Sequence, residues 1–293
     1  MADVSDRSSI LRLPDGRRLA YAEYGDPRGR ALIYNHGLLS SRFEAVFADG
    51  AARRLGLRLI AVDRPGCGGS DPLPGRRLLD WPWDVAALAA ALRLPHFHVF
   101  GVSGGGPYAL ACASALAGRV TGLTLVCPLG PPDTLAGLEE GAGTRLFEFA
   151  GRHQAAARFA LAPLGFWLRH WPISFAERMM ATASPTDRVA LREPPIRAGF
   201  AAALREGVRQ GVGGALADIA LYVQDWGFGL EDIDAPVQLW QGGADHTVPP
   251  AVARALAGRL PHCAAHFLPE EGHFSLPVRQ APAILAAIAQ DAD

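Results

Sequence analysis

Short apolar runs and longer alanine-rich or amphipathic stretches alternate along this chain, and that rhythm predicts its architecture. Residues 10–24 alternate apolar and polar positions on both sides of Asp15-Gly16, the signature of a β-hairpin. Residues 31–34 form a brief apolar run that stops at Asn35-His36-Gly37, and a helical pattern follows over about 43–55. Residues 57–62 read as a strand, 84–94 as a helix, 97–100 as a strand, 107–117 as a helix and 120–126 as a strand. Alternation of this kind predicts a mostly parallel sheet with helices on both faces.

The rhythm then breaks. Residues 130–230 contain no clean strand pattern; they are rich in Ala, Arg and aromatic residues, with prolines at 163, 172, 185, 194 and 195 that divide them into short helices. Strand and helix patterns resume at 237–240, 251–258, 264–268 and 281–290. The expected organisation is one sheet-based core made of residues 1–129 and 231–293, interrupted by a helical insertion at 130–230.

Composition narrows the function. The 293 residues are 49% hydrophobic and 19% charged with a net charge of −1, and all 28 basic residues are arginine. A large core fits these figures, and nothing in the charge suggests a nucleic acid or a membrane surface as partner. The cysteines, Cys67, Cys112, Cys127 and Cys263, form no C-x-x-C pair and have no zinc-like spacing. The first residues carry no signal-like apolar segment, and no run is long enough to span a bilayer. A cytoplasmic protein with reduced thiols is expected, with Cys67 and Cys263 serving as small apolar filler.

The chemistry concentrates in Gly101-Val102-Ser103-Gly104-Gly105, a G-x-S-x-G pentapeptide between a strand pattern and a helix pattern. A sharp strand-to-helix turn lifts the serine hydroxyl clear of the sheet, and glycines two residues before and after it avoid collisions. A serine hydroxyl needs a base, and the base needs an acid to orient it. His273, in Glu270-Glu-Gly-His-Phe274, follows the last predicted strand; Asp245 lies just after the strand at 237–240. Loops at the carboxyl ends of strands carry the site in open α/β sheets, and the chain order Ser103, Asp245, His273 is the one such sheets use. The oxyanion of an acyl intermediate needs two N–H donors. Gly104, after the serine, supplies one, and Leu38 in the early His36-Gly37-Leu38 loop supplies the other, with Leu39 as the alternative. His36 itself is expected to brace that loop, and Asp63-Arg64 to brace the floor of the site. Phe147, Phe166, Trp167 and Trp226 of the insertion are the expected lining of an apolar substrate pocket.

Taken together, His36-Gly37, Asp63-Arg-Pro-Gly-Cys-Gly-Gly-Ser70, the turn at Ser103, Gly242 to Asp245 and Gly272-His273 make the chain resemble the α/β-hydrolase superfamily across nearly its whole length. The resemblance implies an eight-stranded, mostly parallel sheet and a helical cap inserted after the sixth strand. Related epoxide hydrolases and haloalkane dehalogenases use an aspartate where this chain has Ser103. Similar proline iminopeptidases carry H-G-G-P-G where it has His36-Gly-Leu-Leu-Ser40. The expectation is a serine hydrolase that takes a small or medium, largely apolar carboxylic ester through an acyl-enzyme, with no metal or cofactor. Thioesters, lactones, amides and C–C bonds are compatible with the same three residues. A non-catalytic ligand-binding protein on this scaffold is the alternative from a different class.

Overall fold

The computed structural model describes residues 7–135, 149–181 and 183–290. Eight strands form one sheet: β1 (Ser8–Arg12), β2 (Arg18–Gly25), β3 (Arg30–Asn35), β4 (Leu57–Val62), β5 (Phe97–Val102), β6 (Val120–Val126), β7 (Val237–Gly242) and β8 (Cys263–Leu268). Their order is β1-β2-β4-β3-β5-β6-β7-β8. The expected hairpin pairs β1 with β2, and β2 runs antiparallel to both of its neighbours. Every pairing from β4-β3 to β7-β8 is parallel. The central strands are covered on both faces, so β5 is buried at every position and reads as an apolar run rather than an alternating one.

Helices cover the two faces. Trp81–Ala91, Gly106–Ala115 and Pro250–Arg259 pack on one side through Trp81, Val85, Leu88, Tyr108 and Leu256. Asp49–Arg54 and Ala281–Gln290 pack on the other through Ala51, Ala52, Ile284 and Ile288. The helix expected over 43–55 is two pieces, a 3-10 stretch at Arg42–Ala48 followed by Asp49–Arg54.

Between β6 and β7 the described chain holds the short helix Pro132–Leu135 and the helices Gln154–Ala160, Ala162–His170, Pro172–Met180, Pro185–Arg192, Pro194–Gly207 and Gly213–Tyr222. Prolines open the four from Ala162 to Gly207, standing in the first or second position where a missing N–H costs nothing. The insertion has its own small core around Leu168, Leu204, Val208 and Leu216. Its last part departs from that pattern, because Tyr222, Trp226 and Leu230 join the main core instead. Helix Pro194–Gly207 lies directly on Arg42–Ala48, which brings the insertion over the carboxyl ends of β3 and β5. No helix among the described residues is long and apolar enough to cross a membrane.

Candidate active site

Ser103 leaves β5 with φ at +52°, a left-handed backbone that L-residues other than Asn and Asp seldom adopt. The flanking glycines follow from contact distances. A Cβ at Gly101 would stand 2.7 Å from the Gly105 carbonyl oxygen, and one at Gly105 would stand 2.1 Å from that of Asn35. The turn therefore closes only without side chains at those positions. It runs into helix Gly106–Ala115, with Pro107 in the first turn.

Three side chains from separate loops meet here. Ser103 Oγ donates to His273 Nε2 at 3.0 Å, and His273 Nδ1–H donates to Asp245 Oδ2 at 2.8 Å. The carboxylate's orientation is fixed on its far side. Its Oδ1 accepts from the N–H groups of Thr247 and Val248, both at 2.8 Å, and Gln241 Nε2 donates to Oδ2 at 3.1 Å. A carboxylate that is fully served in this way accepts from Nδ1, so the tautomer leaves Nε2 free to take the serine proton. Burial works to raise the Asp245 pKa, but the neighbouring His273 and the two N–H groups outweigh it and hold the acid below the ordinary range. Burial works to lower that of His273; the charge and hydrogen bond of Asp245, then the charges of Asp187 and Glu44, outweigh it and raise the base.

The loop expected to supply the second N–H donor is clamped from behind. His36 Nδ1–H donates to the Gly37 carbonyl at 2.8 Å, and Arg64 donates to the carbonyls of both His36 and Gly37. The Gly37 carbonyl and the Leu38 N–H belong to one trans peptide. Holding the first turned away directs the second toward the serine turn. The Leu38 nitrogen lies 3.2 Å from where a Cβ on Gly104 would be, so the two expected donors are neighbours. Burial and the Arg64 charge push His36 well below its ordinary pKa, so it braces the loop as a neutral ring. Asp63 and Arg64 brace the floor through different partners. Asp63 binds Arg42 and the Gly69 N–H, while Arg64 pairs with Asp218 of the insertion at 2.8 Å.

Three acids that sequence reasoning missed surround the site. Asp218 is fully buried and takes Arg64, Arg76 and Tyr108 together. Asp187 accepts from the N–H groups of His273, Phe274 and Ser275 at 3.2, 2.9 and 2.7 Å, so an insertion residue caps helix Ser275–Arg279 and holds the histidine's own backbone. Glu44 accepts the Gly37 N–H on both oxygens at 3.1 Å and the Tyr34 hydroxyl at 2.9 Å.

Ser103 and His273 open into a cavity of about 300 Å³. Its aromatic walls are not those expected. Tyr34, Phe47, Phe100 and Phe274 come from the core, and Phe175 and Phe200 from the insertion. Phe166 is 58% exposed and packs against His170 and, edge-on, Trp171. Trp167 lies edge-on behind Phe175, and Trp226 is buried in the main core against Phe228. Phe147 lies outside the described residues. Aromatic composition marks a packed insertion but not which face of each helix meets the cavity.

Among the described residues, the one trio of candidate metal ligands is Cys127, Asp245 and His273, with ligand atoms within 4.8 Å of one another. Two of these are already bonded to each other, and burial raises the Cys127 thiol far above its usual range. Burial likewise pushes Cys67 up to about 12 and Cys263 up to about 11, which leaves both as protonated thiols at neutral pH.

A family model for the alpha/beta hydrolase fold matches residues 30–280, and the chain belongs to that family. Its fold is shared by a hydrolase from Pseudomonas aeruginosa (21% identity, 97% of each chain covered, TM-score 0.72). It is shared too by a thermophilic esterase from Thermogutta terrifontis (21%, 98% of this chain and 99% of that one, 0.73). An enol-lactonase from Burkholderia xenovorans is similar as well (18%, 97% and 99%, 0.70). A non-heme chloroperoxidase from Streptomyces lividans is 34% identical over 125 residues, which span 40% of this chain and 43% of that protein.

Proposed function

We propose that the protein is a serine hydrolase acting on a small or medium, largely apolar carboxylic ester, with Ser103, His273 and Asp245 as its catalytic triad. The observation that carries this reading is the unbroken Asp245–His273–Ser103 hydrogen-bonded chain at the mouth of an apolar cavity. In this scheme Ser103 Oγ attacks the ester carbonyl as its proton passes to His273 Nε2. The carbonyl oxygen becomes an oxyanion between the N–H groups of Leu38 and Gly104. Collapse breaks the bond to the alkoxide, which leaves with the proton from Nε2. Water then repeats the sequence on the acyl-enzyme, releasing the acid and restoring Ser103. Asp245 holds the imidazole and stabilises its charged form throughout. The insertion, taken as residues 130–230, serves as a cap, with Phe175 and Phe200 forming part of the apolar wall against the substrate.

Intact-mass measurement after treatment with a fluorophosphonate tests the reading. A single adduct is expected on the wild type and none on Ser103→Ala, along with turnover of p-nitrophenyl esters by the wild type alone. A folded wild type that takes no adduct and turns over no ester would favour a ligand-binding protein.

A further inference from the structure

The cavity beside Ser103 is mostly apolar, with Tyr34, Ser40, Thr247, His273 and one acid among its polar lining. Glu44 is the only carboxylate among the described residues that line it. It is half-buried, and protein surrounds it closely enough that burial pushes its pKa up, an effect only partly offset by the hydroxyls of Ser40 and Tyr34, the Gly37 N–H and the more distant charge of Arg64. Its position relative to the nucleophile is defined by Gly37. A Cβ on that glycine would lie 3.3 Å from Glu44 Oε2 and 3.7 Å from Ser103 Cβ. The carboxylate and the nucleophile thus border the same methyl-sized space.

The partners of Glu44 are neutral donors. Tyr34, Ser40 and Gly37 supply hydrogen bonds, but among the described residues no arginine or histidine forms an ion pair with it. Arg64 is committed to Asp218 and to two loop carbonyls, and His273 to Asp245 and Ser103. A loop brace alone would need only an acceptor; this one is an acid set in a mostly apolar wall. When a substrate fills the cavity and displaces water, the ionised carboxylate loses solvation that its neutral donors and the distant Arg64 charge only partly replace. A cation on the substrate would make up the difference.

We infer that Glu44 forms a subsite for a positively charged amine, so that the preferred substrate is an otherwise apolar ester bearing an ammonium group next to its carbonyl. The inference rests on Ser103 being the nucleophile. Substrates with an anionic group in that position are disfavoured for the same reason.

Matched ligands that exchange a methyl for an ammonium at constant shape provide the test. On the wild type, 1-aminoethylboronic acid is expected to inhibit about tenfold more tightly than isopropylboronic acid, the range of a charge-assisted hydrogen bond. The kcat/KM ratio for the p-nitrophenyl esters of alanine and isobutyrate is expected to fall by about tenfold in Glu44→Gln, which keeps an oxygen for the Gly37 N–H and removes the charge. Using the ratio cancels the intrinsic reactivity of each ester. Equal inhibition by the two boronates, or an unchanged ratio in the variant, overturns the subsite while leaving the hydrolase intact. If Glu44→Gln does not fold, the boronate pair on the wild type decides. Failure of both boronates together with an unlabelled Ser103 overturns the hydrolase reading itself, and the subsite with it.

Discussion

Ser103 and His273 face each other across 3.0 Å, yet different parts of the chain hold them. The serine side is local. A left-handed turn, two glycines that admit no Cβ and a helix that starts at once fix the hydroxyl within a few residues of sequence. The rest of the site is assembled from a distance. Asp187, from an insertion helix, ties down the backbone of His273, Phe274 and Ser275, and Asp218, from another, anchors the arginine that orients the Leu38 loop. The insertion therefore does more than cover the cavity, because two of its acids reach past the wall to the groups that perform the proposed chemistry.

Substitutions that separate the two sides sharpen this contrast. The largest effect is expected at Ser103→Ala, with a loss of about 10⁶-fold in kcat, measured on p-nitrophenyl esters in clean protein with no change in thermal midpoint. Asp218→Ala should come next. It leaves Arg64 and Arg76 buried without a counter-charge, a destabilisation of about 3–5 kcal/mol by urea titration. Because Arg64 then loses its anchor, kcat should fall as well in whatever fraction remains folded; unaltered kcat would mean that the Leu38 loop needs no support from the insertion.

A smaller and more specific effect is expected at Asp187→Asn. The Asp187 charge helps raise the His273 pKa, so removing it should lower that pKa. The base then remains neutral to lower pH, and the acid limb of the kcat/KM profile should move down by about half a pH unit. A lower melting point with a stationary acid limb would reduce Asp187 to a helix cap. In the wild type, the raised His273 pKa contributes stability that is full below the unfolded value near 6.5 and is lost as pH rises through the folded value. The smallest change is expected at Phe200→Ala, where the space freed beside Phe274 should lower KM for longer acyl chains a few-fold with little change in kcat.

The same contrast explains how much the sequence disclosed. Strand–helix alternation, the serine turn and the chain order of Ser103, Asp245 and His273 are legible because each follows from local chemistry: apolar period, glycine sterics, strand-end loops. Asp187 had a signal that pointed elsewhere. Ser184-Pro-Thr-Asp187 matches the S/T-x-x-D/E pattern of a helix start, and Ser184 does accept the Asp187 N–H at 3.1 Å. The carboxylate, however, serves the N–H groups at 273–275. Asp218 could have been found, since a lone acid in Ala215-Leu-Ala-Asp-Ile-Ala-Leu-Tyr222 sits in a helix that is apolar all round and must be paired when buried. Glu44 gave no such sign, because its neighbours Arg42 and Phe43 suit an ordinary amphipathic segment. The pocket aromatics failed for a related reason. Six phenyl and phenol rings line the cavity, four from the core, and only the tertiary arrangement selects them from the others.

The pairing of β6 with β7, which sets Leu123 beside Val237 across the whole insertion, bears on the order in which the chain emerges during synthesis. The serine turn and every strand on its side precede the insertion; the acid and the base come after it. A nascent chain stopped anywhere before β7 contains the proposed nucleophile, Ser103, without Asp245 and His273, the groups proposed to activate it. Hydrolytic competence then arrives only with the final strands, and ribosome-arrested chains ending near residue 230 should take up no fluorophosphonate, whereas released full-length chains should.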